Sequence, residues 1–103
     1  MRICIVGAGV SGIQTAFILS KAGHECCIFE KNSDVGGVWK CNYDGYALQV
    51  PSELYEIVGY SNIEKDGTFP DGQSVFKYIK TVFEELNCNV HFEENVNKIS
   101  WND

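Results

Sequence analysis

RICIVGAGVSGIQTAFILSKAGHECCIFE, residues Arg2 to Glu30, runs in the order strand, glycine turn, helix, turn, strand and carboxylate. Ile3 to Val6 is a short, nearly all-apolar run with glycine straight after it, the pattern of a buried parallel strand. Gly7-Ala8-Gly9-Val10-Ser11-Gly12 follows at once. Ile13, Ala16, Phe17 and Leu19 then recur at helical spacing to about Ala22, and Gly23 stands where a helix end needs a left-handed residue. His24 and Glu25 read as a turn, Cys26 to Phe29 as a second apolar strand, and Glu30 closes it. A strand–helix–strand unit of about thirty residues is the expected length for two parallel strands and their crossover.

The glycines have separate physical tasks in such a unit. Gly7 permits a tight exit from the strand, Gly9 keeps side chains away from an approaching pyrophosphate, and Gly12 lets the helix pack close to the strand. The helix N-terminus offers free N–H groups and a partial positive charge to that pyrophosphate. Glu30 lies eighteen residues after Gly12, near the spacing at which a carboxylate meets a ribose. A carboxylate there accepts hydrogen bonds from ribose hydroxyls and repels a 2′-phosphate, so the site should hold FAD or NAD and not NADP. A glycine-rich loop without a ligand would leave Glu30 unexplained.

Working outward, the chain has 103 residues, enough for one small domain. Hydrophobic residues make up 45%, which excludes a disordered composition. No run of 18 apolar residues is present, so no membrane span is expected, and no signal peptide is read at the N-terminus. The net charge of −6 is uneven: residues 1–52 carry four Lys/Arg against four Asp/Glu, and residues 53–103 carry four against ten. An acidic half argues against nucleic acid as a partner, because phosphate binding needs clustered Lys and Arg. The five cysteines are Cys4, Cys26, Cys27, Cys41 and Cys88, with no C-x-x-C pair. Cys4, Cys26 and Cys27 fall in the two strands and read as small buried hydrophobes. That usage suggests a reducing, cytoplasmic setting. His24 and His91 have no ligand-spaced partner, so no metal is expected; His24 fits a surface turn and His91 the outward side of a strand.

The second half carries one helix and two further strands. Asp71 to Leu86 reads as a helix with Asp71 as N-cap and Val75, Ile79, Val82, Phe83 and Leu86 on one face. Val90 to Glu93 should be a third strand parallel to the second, in spatial order 3-2-1. Asn95 reads as a turn residue, and Val96 to Trp101 alternates as an antiparallel strand with one wet face would.

Between the halves, Gly36-Gly37-Val38-Trp39 and Leu48-Gln49-Val50-Pro51 carry more than spacing. By spacing alone the glycine pair could be an ordinary turn and Trp39 ordinary core. Together they resemble the flavin-containing monooxygenases and their Baeyer–Villiger relatives, which show GG-x-W and Leu-Gln-x-Pro after the first fingerprint. Tyr46-Ala47, Tyr55-Glu56, Phe69-Pro70 with Tyr78-Ile79, and Val90-His91-Phe92 with Val96-Asn97-Lys98-Ile99 fit the same pattern, so the resemblance covers essentially the whole chain. It departs at Ile57 to Ile63, where the family has a Phe-Ser-Asp element, and at Ser52, where Lys is frequent.

The resemblance implies an α/β, Rossmann-like FAD/NAD(P)-binding domain, partial in content: β-α-β, a hairpin region, a helix and a third parallel strand in one domain over residues 1–103. It implies FAD held by Gly7, Ala8, Gly9, Val10, Ser11, Gly12, Glu30, Lys31, Gly37, Val38, Trp39, Leu48 and Gln49, with Gln49 the one candidate near the reacting ring. Gln49 reads equally well as a solvent-facing polar residue of a strand. The implied chemistry is NADPH-dependent oxygenation of nitrogen or sulfur in small substrates. No second GxGxxG for NADPH follows Gly12, so this chain is expected to be inactive as a fragment. A non-catalytic dinucleotide-binding module or remnant, paired with another chain or self-associated through an uncovered first strand, stands as the alternative.

Overall fold

A computed structural model of the chain describes residues 1–40, 47 and 71–102. The first strand, β1, is Arg2–Val6, and it ends at Gly7, whose φ of +100° turns the chain out of the sheet. Helix α1, Val10–Lys21, follows, and β2 is Glu25–Phe29. The join between them is closed by hydrogen bonds rather than by packing. His24 N–H donates to the Leu19 carbonyl and Gly23 N–H to that of Ser20, each at 3.1 Å, with Gly23 at φ +91°. That is the Schellman closure expected from a glycine just past a helix end. The strand starts one residue earlier than its apolar run, so Glu25 belongs to β2 and not to the turn.

Helix α2, Gly72–Glu84, begins where Asp71 accepts a hydrogen bond from Ser74 N–H at 2.8 Å, as the sequence predicts for an N-cap. Val75, Ile79 and Val82 are fully buried, and Phe83 and Leu86 are partly buried. Tyr78 adds to this face, buried although its position falls beside the 3.6-residue stripe. The third strand, β3, is Asn89–His91. The three strands are parallel, in the order β1-β2-β3, with Ile5 opposite Ile28 and Ile28 opposite Val90.

One face of this sheet meets both helices. Ile5, Cys26 and Ile28 point inward and join Ile13, Ala16 and Phe17 of α1 and Val75, Ile79 and Val82 of α2 in a single core. The alternate residues face away: Cys4 and Val6 are exposed, and Cys27 and Phe29 are half-buried. Cys4 is therefore not the buried hydrophobe its strand position suggested. A parallel strand reads as buried on both sides only if both faces are covered, and this face carries no helix among the described residues. Cys26 is buried as expected.

The chain after β3 departs from the sequence reading. It turns at Phe92 and Glu93, with Glu93 at φ +58°, instead of extending to Glu93 and turning at Asn95. Glu93 N–H donates to the Asn32 carbonyl and Glu94 N–H to that of Glu30, so the turn is tied to the exit of β2. Residues 96–101 form no strand, and Ile99 and Trp101 are strongly exposed. Alternation supplies one apolar face, but a strand also needs a partner for its backbone groups, and none runs alongside among the described residues. The expected hairpin region, between the second strand and the helix, lies largely outside the described residues, which there show an antiparallel bridge of Ala47 to Asp71. No helix among the described residues is long and apolar enough to cross a membrane.

Candidate nucleotide-binding site

The ends of β1 and β2 and the start of α1 meet at one place, and a second glycine loop lies over them. Gly9 is the N-cap of α1, with no side-chain cap and no carboxylate in the first turn. The first backbone bond within the helix is Ile13 N–H to the Gly9 carbonyl, 3.0 Å, which leaves the N–H groups before it without a helical acceptor. They face the mouth of the turn, where the helix dipole adds partial positive charge. Gly12 is held against the Gly7 turn so closely that a β-carbon would overlap the Gly7 carbonyl oxygen.

The second loop is a 3₁₀ turn, Gly37–Trp39, entered through Gly36 at φ +112°. Gly36 N–H donates to the Ala8 carbonyl at 2.9 Å. A β-carbon on Gly37 would stand 3.3 Å from the Gly9 α-carbon, so the two loops touch backbone to backbone. Together they line an open groove of about 340 Å³, with Ser11, Gly12, Val38 and Trp39 along it. Val38 is exposed at the mouth, and Trp39 leans half-buried on the core. Among the described residues a β-carbon at Gly9 would meet nothing nearer than Gly37, at 3.9 Å, so it would project into this space.

Glu30 stands where the sequence put it, directly after β2, but it is more engaged than a ribose ligand need be. The side chain is 4% exposed. One carboxylate oxygen accepts from Ala8 N–H at 2.8 Å and the other from Asn32 N–H at 2.7 Å. Each oxygen keeps a further lone pair for a hydroxyl. Glu30 therefore also ties the glycine turn to the exit of β2, a structural role the spacing did not reveal. A second recess of about 230 Å³ opens beside it, lined by Gly7, Glu30, Lys31, Glu94 and Asn95. The turn after β3 thus supplies walls of this recess, Glu94 and Asn95, to which the sequence pattern assigns no part in a site.

Asp34 was missed from sequence altogether. Its Oδ2 accepts from Lys40 Nζ at 2.9 Å and Lys80 Nζ at 3.0 Å, and its Oδ1 from Val35 N–H at 2.8 Å. The Lys40 hydrogen bond, helped by Lys80 and the Val35 amide, outweighs partial burial and holds the carboxyl down to about 2. Its partner on α2 lies 46 residues away, so no local pattern could have found it. Elsewhere, burial pushes the Cys88 thiol up, with the neighbouring Cys26 and Cys27 adding to it. His91 stacks on Phe29 with ring centroids 4.9 Å apart, and His24 Nδ1 lies 3.3 Å from the N-terminal amine. Among the described residues no group of His, Cys, Asp and Glu could hold a metal. Leu48 and Gln49 lie outside the described residues.

A glycine turn and helix N-terminus at the carboxyl ends of parallel strands define a Rossmann-like domain. A family profile described as "NAD(P)-binding Rossmann-like domain" matches residues 5–65, and the chain belongs to that family. Within it, the chain is similar to the N-terminal segment of flavin-containing monooxygenases. Flavin-containing monooxygenase FMO GS-OX-like 8 of Arabidopsis thaliana is 33% identical over 103 residues, which cover 76% of this chain and 22% of that protein. Senecionine N-oxygenase of Tyria jacobaeae is 31% identical over 96 residues, 78% of this chain and 21% of that protein. The crystal structure of OTEMO in complex with FAD and NADP matches with a TM-score of 0.71 at 26% identity, over 87% of this chain and 18% of that one. The chain thus spans about a fifth of the length of the curated relatives it matches.

Proposed function

We propose that this chain is the FAD-binding segment of a flavin-dependent, NADPH-using monooxygenase acting on nitrogen or sulfur of small substrates. The observation that carries the reading is the approach of Gly37 to Gly9 beside the uncapped N-terminus of α1. A single glycine turn suits any dinucleotide; a second glycine loop closing on it suits a diphosphate gripped from two sides. The open space at Gly9, which a β-carbon would enter, fits that group.

In this reading the N–H groups of Gly9, Val10, Ser11 and Gly12 bind the diphosphate, with Gly7 and Ala8 shaping the turn and Gly37 and Val38 closing it. Glu30 and Lys31 line the recess for the ribose and Trp39 lines the groove at the glycine loops; Leu48 and Gln49 join the cofactor-binding set through the resemblance alone. Gln49 is the one candidate for contact with the reacting part. The bound flavin, reduced by NADPH, would supply the oxygen activation; these residues hold and orient it. The NADPH site and the oxygenation belong to the whole protein of which relatives like these are examples. A reducing, cytoplasmic setting agrees with the free thiols of Cys4, Cys26, Cys27 and Cys88.

A second reading has one observation in its favour. Among the described residues β1 is an edge strand whose outward Cys4 and Val6 are exposed, so a partner chain or a second copy could complete the sheet. The experiment for the first reading is a titration of FAD into the purified protein, read by flavin fluorescence. Saturable quenching that ADP competes away is the expected result; fluorescence unchanged by the protein would overturn the FAD assignment. The mass of the same sample by light scattering tests the second.

A further inference from the structure

The sequence Asp34 to Lys40 has a charged residue at each end of its glycine pair, and the structure joins both ends to one point on α2. Asp34 Oδ2 takes Lys40 Nζ from the far end of the loop and Lys80 Nζ from α2. Phe76, one helical turn before Lys80, lies beneath this cluster. The Lys40 and Lys80 ammonium groups sit 6.0 and 5.7 Å from its ring centroid. The same ring meets Gly36, where a β-carbon would come within 2.6 Å of Phe76 Cε2. The loop is therefore attached to α2 at two places, through the Asp34 carboxylate and through the bare Gly36 backbone. On its other side it is attached to the first glycine turn, through Gly36 N–H and the Gly37–Gly9 contact.

The helix it is tied to is itself immobilised. Val75, Ile79 and Val82 bury their side chains completely in the core. The pairing also decides what the groove offers a ligand. Two lysines lie within reach of the loop, yet neither lines the groove. Their charges are turned onto Asp34, so among the described residues the groove meets an anion with oriented N–H groups and no side-chain cation. Such binding depends on how the two glycine loops are spaced, because a hydrogen bond weakens steeply with distance and angle.

We propose that Asp34 is the positioning residue of this site: through Lys80 it clamps the Gly36-Gly37 loop over Gly9 and so sets the affinity for the diphosphate part of a dinucleotide. The proposal rests on the FAD reading above for its ligand, and on contacts within the chain for its geometry. The carboxylate is ionised throughout the physiological range, so the clamp is always charged.

The test compares the protein with Asp34→Asn, Lys80→Ala and Lys80→Arg by amide hydrogen exchange and by binding of FAD and AMP. AMP lacks the second phosphate and serves as the control for the recess at Glu30. In Asp34→Asn and Lys80→Ala, exchange at Gly36 N–H should rise about tenfold, ahead of the rise of at most about fivefold that lost global stability gives Ile5 and Ile28, and FAD should bind about tenfold more weakly with AMP within about twofold. Lys80→Arg, which keeps a charged donor, should restore both readouts. Unchanged Gly36 exchange, or equal losses for FAD and AMP, would overturn the proposal, the latter by showing general loosening. If the unaltered protein takes up no FAD, the functional reading falls together with the affinity claim, and the Gly36 rates still decide the clamp.

Discussion

Gly12→Ala isolates the contact on which the strand–turn–helix geometry depends. On an ordinary helix this substitution stabilises, by about 0.5–1 kcal/mol, because alanine loses less backbone freedom. Here the added β-carbon would overlap the Gly7 carbonyl oxygen and lie 3.0 Å from its carbon, both backbone atoms that no side-chain rotation can move. A third neighbour, Ile5 Cγ2 at 3.5 Å, closes the remaining direction. The start of α1 must then lift from β1 by roughly an ångström, which loosens Ile13 and Ala16 in the core. Overpacking of a well-packed site costs about 1–3 kcal/mol, occasionally more, so after the propensity gain a net loss of about 1–2 kcal/mol is expected. Urea unfolding followed by circular dichroism measures it, with the midpoint falling and the slope unchanged. A Gly12→Ala protein as stable as the original, or more stable, would refute the close packing of α1 on the glycine turn.

Glu30→Gln keeps one acceptor but turns an amide NH₂ toward either the Ala8 or the Asn32 N–H; a loss of about 1–3 kcal/mol of stability in the same urea assay is expected. Asp34 has its carboxyl depressed in the fold, so its contribution is complete above the ordinary value of 3.8 and disappears as pH falls through about 2. Linkage alone would make that contribution about 2.4 kcal/mol, and screening of partly exposed lysines brings it to about 1 kcal/mol. The stability difference between the protein and Asp34→Asn should therefore be flat from neutral pH to about 4.5 and shrink toward pH 2. Cys4 is exposed while burial raises the Cys88 thiol, so mass spectrometry after limited alkylation at pH 8 should find Cys4 modified well before Cys88.

The first thirty residues were legible because every signal in them is local. The apolar run of β1, the glycine at φ +100°, the Gly23 closure and the apolar run of β2 each act within a few residues of themselves. Asp71 as N-cap of α2 was legible for the same reason. What failed depends on partners distant in sequence. Residues 96–101 have the alternation of a strand without a strand beside them among the described residues. Cys4 has the setting of a buried residue on a sheet whose second face carries no helix among the described residues. At the candidate site, the spacing placed Glu30 at the end of β2 but not its bonds to Ala8 and Asn32, and it passed over Asp34, whose ion pair with Lys80 exists only because α2 brings that lysine to it. Glu94 and Asn95 reach the site through a turn whose left-handed Glu93 no propensity would favour.

If the space at Gly9 is the seat of a diphosphate, Gly9→Ala should fill it and leave the fold standing. Gly9 has φ −79°, which alanine adopts freely, and among the described residues the new β-carbon meets only the Gly37 α-carbon, at an ordinary 3.9 Å. Loss of a glycine N-cap limits the stability cost to about 1 kcal/mol or less. The account predicts a Gly9→Ala protein that unfolds nearly as the original does but binds FAD at least about tenfold more weakly by fluorescence titration, because the methyl group occupies the ligand's place. A Gly9→Ala protein that binds FAD as tightly as the original would contradict it.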